Sequence, residues 1–146
     1  MQTIASLSLV NGPDTVTRAL AWLESLAGQQ QWPSHMGFKL GLCLDEALTN
    51  IVLYGFQGKD KDAADNRIDI AVLQEGSTLV LDISDNGLPF DPTRKQVSSL
   101  ATSLEDAEIG GHGLRLMRHY LQDIQYRRTA QHNHLRLVAA LDSNDR

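Results

Sequence analysis

Two short runs of alternating apolar residues, Ile68-Ile70-Val72 and Leu79-Leu81-Ile83, flank a connector, Gln74 to Ser77, that contains Gly76. Period-two alternation places every second side chain on one face of a strand. A connector this short returns the chain alongside itself, so the pattern predicts a β-hairpin with one apolar face. A second hairpin is predicted near the end of the chain, from Ile124 to Arg128 and His134 to Leu141, turning around Ala130 to Asn133. Thr3 to Val10 alternates in the same way and reads as a further strand.

The segments between these strands change period. From Asp14, apolar residues fall at Val16, Leu20, Leu23 and Ala27, which is helical spacing. Asn11-Gly12-Pro13 breaks the preceding strand, Pro13 sits near the helix start, Gly28 is expected to end the helix, and Gln29 to Gln31 reads as a loop. Ser34 is expected to cap a second helix running to about Tyr54, with Leu40, Leu44, Ala47, Leu48 and Ile51 as its apolar face. Gly55 to Asn66 reads as a loop. Asp85 to Ile109 holds two prolines and many Ser, Thr and acidic residues, and loops this long are usually functional or disordered. A third helix is expected near Gly113, carrying Leu114, Met117 and Leu121.

Strands that pair as hairpins give a mixed, mostly antiparallel sheet, and the helices would cover one face of it, an α+β two-layer sandwich. The 146 residues suffice for one core, and no repeat or linker divides them, so residues 1–146 read as a single domain. A formal net charge of −5 disfavours general binding to nucleic acid or to an anionic membrane. No apolar run approaches the roughly 20 residues that span a bilayer, and the N-terminus lacks the pattern of a signal peptide. The single cysteine, Cys43, permits no internal disulfide, so a reducing cytoplasm is the expected setting.

Three segments can carry chemistry. In Asp45-Glu46-Ala47-Leu48-Thr49-Asn50, Glu46 and Asn50 are four apart and share a helix face. An amide oxygen there can ligate a hard cation, and a carboxylate can take a proton from a nucleophile. The plainer alternative is an exposed, solvated pair. Asp85-Asn86-Gly87-Leu88-Pro89-Phe90-Asp91-Pro92 follows a strand. Its first carboxylate can accept from the exocyclic amine of adenine, with Gly87 letting a flat base approach; the alternative is a turn. Ile109-Gly110-Gly111-His112-Gly113-Leu114 precedes a helix, where backbone amides can face an anion; the alternative is a flexible helix start. Its glycines match neither the dinucleotide fingerprint nor a Walker loop.

Taken in order, these segments resemble the Bergerat ATP-binding fold of gyrase, MutL and histidine-kinase catalytic domains. The resemblance spans nearly the whole chain, and the DEALTN and DNGLPFDP wording is most similar to the serine kinases that act as anti-sigma factors. It implies that Glu46 is the general base, Asn50 the magnesium ligand, Asp85 the adenine anchor and Gly87 part of its pocket. Gly110, Gly111 and Gly113 would approach the phosphates of ATP, under a lid from Asp91 to Ile109. It further implies an anti-anti-sigma (STAS-type) partner with a target serine, a sigma factor as the regulator held, and a homodimer of the kind found in the family. Tyr54 stands where relatives often carry His, and Arg94, Lys95 and Arg115 are candidates for the γ-phosphate.

The leading function is therefore an ATP-dependent serine/threonine kinase that also sequesters a regulator. A binding module that holds ATP without transferring phosphate is the alternative, and Glu46 favours the kinase. A detached histidine-kinase catalytic domain would need a helix pair bearing an acceptor histidine, and none precedes this domain. His132 and His134 read as a solvated turn, Cys43 as a small buried thiol, and Trp22 and Trp32 as packing residues.

Overall fold

The computed structural model describes residues 1–56, 65–94, 115 and 117–141. Five strands, β1 (Gln2–Val10), β2 (Arg67–Glu75), β3 (Thr78–Asp85), β4 (Asp123–Arg128) and β5 (Asn133–Ala140), form one sheet in the order β1-β2-β3-β5-β4. Every pairing among the described residues is antiparallel, so the expected mixed sheet is antiparallel throughout this part of the chain. Helices α1 (Thr15–Gln29) and α2 (Ser34–Asn50) lie between β1 and β2 in the chain. One turn of π-helix, Ile51–Gly55, prolongs α2, so the helical run reaches about as far as its apolar spacing predicts.

The core forms where the alternating face of the sheet meets the helical stripes. Ile68, Ile70, Val72, Leu79, Leu81, Ile83, Leu135 and Leu137 bury against Leu23, Leu26, Met36, Leu40, Leu44 and Leu48. The opposite face carries polar groups, among them the paired Asp82 and Arg136, at 2.8 Å. Trp32 is buried and Trp22 packs at the core edge, as packing residues should.

Three local expectations are corrected. Gly28 lies inside α1, which ends at Gln29; the left-handed residue that closes it is Gln31, whose φ is +57°. The Gln31 N–H bonds the Gly28 carbonyl at 3.2 Å and the Trp32 N–H bonds the Ala27 carbonyl at 3.0 Å. This is a Schellman closure, in which a left-handed residue satisfies the last carbonyls, and burying Trp32 fixes where it falls. Ser34 is the first residue of α2 and makes no side-chain cap; Pro33 holds the cap position, and its carbonyl accepts from Met36 N–H at 2.9 Å. The β4–β5 turn is Thr129 to His132, because Asn133 is already paired in β5. The β2–β3 turn is as expected, with Gly76 at φ +60°.

Candidate active site

The end of β3 and the start of β5 meet across the register pair Asp85 and Asn133. Both side chains continue the core-facing phase of their strands, after Ile83 and before Leu135, and are 4% and 5% exposed. A buried carboxylate is tolerated only when bonded. Asp85 Oδ1 accepts from the Gly87 N–H at 2.8 Å and from Asn133 Nδ2 at 3.0 Å. Burial pushes the Asp85 pKa above its ordinary value; the bonds from Asn133 and Gly87 and the charges of Arg128 and His132 pull the other way.

Around this carboxylate lies a small cavity. Ala47, Asn50 and Ile51 reach it from the end of α2 and the π-turn, Phe90 and Pro92 from the segment after β3, and Tyr126 and Leu135 from the last hairpin. The structure therefore brings Asn50 and Asp85, 35 residues apart in sequence, to one site. Glu46 lies one turn before Asn50, half-buried and outside the cavity lining, and its negative charge is felt at Cys43.

Gly87 is buried but does not line the cavity. A Cβ at Gly87 would stand 2.4 Å from the Gly55 carbonyl oxygen and 3.0 Å from Asp85 Oδ1. The adjacent Leu88 N–H bonds that same Gly55 carbonyl at 2.7 Å. Gly87 is thus the point where two backbone segments touch, and this contact sets the height of Asp85 over the end of α2. Gly55, read from sequence as the start of a loop, lines the cavity instead. Tyr54 faces Phe90, ring centroids 5.9 Å apart.

Gly110, Gly111 and Gly113, with His112 and Lys95, lie outside the described residues, as does the expected lid after Arg94. At its base, Thr93 N–H and Oγ1 bond Asp91 Oδ1, and residues 92–94 form one 3-10 turn. Arg115 is exposed. His132 and His134 have ring centroids 6.1 Å apart, and among the described residues no cluster of three His, Cys, Asp or Glu side chains could hold a metal.

Sequence reasoning missed Asn133, Tyr126 and Arg128. Asn133 joins Asp85 to Leu88, Phe90 and Tyr126, and Arg128 donates to the Gly87 carbonyl at 2.9 Å. A signal for Asn133 was present: it is in phase with Leu135, Leu137 and Ala139, a polar residue on an apolar face.

An antiparallel sheet covered by helices, with a buried carboxylate at the end of its central strand beside a helical amide, defines an ATPase class. Residues 9–139 match the histidine kinase-like ATPase domain. The chain is 43% identical over 125 residues to the serine/threonine-protein kinase BtrW of Bordetella bronchiseptica, covering 86% of this chain and 85% of that one. It is 32% identical to the serine-protein kinase RsbW of Listeria monocytogenes, over 82% of this chain and 76% of that one. Its fold is that of a chain in the crystal structure of the SiaB-SiaC complex from Pseudomonas aeruginosa, with a TM-score of 0.68 at 12% identity, over 94% of this chain and 89% of that one. The chain belongs to the histidine kinase-like ATPase family, as a Bergerat-fold protein-serine/threonine kinase of the anti-sigma-factor type.

Proposed function

We propose that this kinase transfers the γ-phosphate of magnesium-bound ATP to a serine on a small anti-anti-sigma (STAS-type) protein. By alternating between that partner and a sequestered regulator, such as a sigma factor, it would control transcription in the cytoplasm. The whole of residues 1–146 would act as one ATPase domain, alone or as a homodimer. The observation that carries the reading is the shared cavity of Asp85 and Asn50. A carboxylate between apolar walls from Ile51, Phe90 and Leu135 suits the amine-bearing edge of a flat base, and the cavity, about 20 Å³ as it stands, would widen to admit one.

The residues present also fit magnesium. A single amide oxygen, Asn50, would hold the ion together with the phosphates, which suits a cation that keeps most of its other ligands as water and phosphate oxygens. The ion would neutralise charge on the transferring group. Glu46, one turn away on the same helix, would accept the proton of the attacking serine. Gly110, Gly111 and Gly113 would line the phosphates with backbone amides.

Incubation of the kinase with labelled ATP and the candidate antagonist tests this directly. Label is expected on a serine of the antagonist. Glu46→Gln is expected to bind ATP nearly as well as wild type but to transfer phosphate about a hundred- to ten-thousandfold more slowly. Asn50→Ala is expected to weaken the metal-dependent part of binding. An antagonist labelled at the wild-type rate by Glu46→Gln removes Glu46 as the base.

A further inference from the structure

We infer that Asn133 is the positioning residue that makes Asp85 selective for the amine of adenine. The inference rests on Asp85 being the adenine anchor. Asn133 opens β5 on the core side of the sheet, and its amide is fully engaged. Nδ2 donates to Asp85 Oδ1 at 3.0 Å and to the Leu88 carbonyl at 2.8 Å. Oδ1 accepts from the Phe90 N–H at 3.3 Å and from the Tyr126 hydroxyl. An amide has two N–H donors and two acceptor lone pairs, so these four bonds use its whole capacity.

The orientation of the amide is therefore fixed. Flipping it would set its oxygen against the Asp85 carboxylate and the Leu88 carbonyl, and its NH2 against the Phe90 N–H. Held this way, Asn133 and the Gly87 N–H both bond Asp85 Oδ1, and two donors on one oxygen stop the carboxylate from turning. Among the described residues none donates to Oδ2, which is left as the acceptor for a ligand N–H. A buried acceptor held in one direction favours a base that donates an N–H there and rejects one that offers a C–H or a carbonyl, because its own bond would then go unmade. The same amide holds Leu88 and Phe90, so the carboxylate and the wall opposite α2 are set by one side chain.

The test compares ATP with purine riboside triphosphate, which lacks the 6-amino group, by calorimetry on the full chain. Wild type is expected to prefer ATP by roughly tenfold to a hundredfold. Asn133→Leu keeps the approximate shape and removes all four bonds; it should lose most of that preference, mainly through weaker ATP binding. Asn133→Asp keeps acceptors for Phe90 and Tyr126 but sets a second carboxylate beside Asp85, and should lose as much or more. In an Asp85→Asn background the Asn133 substitutions should cause no further loss of preference, whereas a purely structural role would add its effect regardless. Should Asn133→Leu fail to fold, Asn133→Asp decides alone. A wild-type preference retained in either folded variant overturns the inference. A wild type that does not distinguish the two nucleotides overturns the Asp85 anchor itself, and the inference falls with it.

Discussion

Asp85 and Asn133, 48 residues apart, are direct cross-strand partners at the end of β3 and the start of β5, joined from Nδ2 to Oδ1 at 3.0 Å. Each is the polar residue at the end of an apolar phase, and each makes the burial of the other affordable. The register of two strands thus sets the position of the carboxylate over the end of α2.

The first prediction concerns pH. Ionised Asp85 is the stronger acceptor for a ligand N–H, a proton turns one of its oxygens into a donor, and burial raises its pKa above the ordinary 3.8. Acidification should therefore weaken ATP binding from a higher pH than an ordinary carboxylate would, and affinity should be flat above that range. Asp85→Asn should bind weakly at every pH and lose this step. Folding stability has the opposite sign: the folded chain takes up this proton more readily than the unfolded chain, so protonating Asp85 adds stability as pH falls through the raised value. Calorimetric affinities over an acid series would reveal the step, and its absence in wild type would contradict the raised pKa.

Gly87→Ala should destabilise the fold. Its Cβ would meet the Gly55 carbonyl oxygen at 2.4 Å and carbon at 2.9 Å, and these are backbone atoms that no rotamer change can move. The cost is expected to be about 3 kcal/mol, which lowers the melting temperature by roughly 10 °C. A thermal melt within one or two degrees of wild type would show that Gly55 and Gly87 separate at little cost.

Gln31→Gly should stabilise the protein. Gln31 takes a φ of +57° to close α1, a conformation that costs a side-chain-bearing residue about 1 kcal/mol and glycine little. Loss of the side chain also widens the unfolded ensemble, so the net gain should be below about 1 kcal/mol. Denaturant unfolding should give a raised midpoint with an unchanged slope.

Cys43 should resist alkylation in the folded protein. It is 1% exposed, and burial together with the nearby negative charge of Glu46, against the opposing charge of Lys39, pushes its pKa from 9.0 to about 12. Only the thiolate is nucleophilic, so iodoacetamide at mildly alkaline pH should modify the unfolded chain readily and the native chain very slowly. Glu46→Gln should lower the thiol pKa without exposing it. Fast native labelling would mean that α2 opens locally.

Much of this protein was written in its residue spacing. Alternation in Ile68 to Ile83 and 3.6-residue spacing in Leu40 to Ile51 each encode one buried face, and a buried face is a local property of the chain. Asp85 and Asn50 were legible as chemistry because they sit in short patterns that themselves carry a physical reason. Tertiary structure alone decided how they meet. Asn133 gains its meaning only when β5 pairs with β3 and sets it against Asp85, since hydrogen bonds between distant residues leave no local period. Gly87 must be glycine because Gly55, from another element, arrives at van der Waals contact. The end of α1 was likewise settled by the burial of Trp32, which moved the left-handed closure from Gly28 to Gln31 and overrode the local preference of glycine.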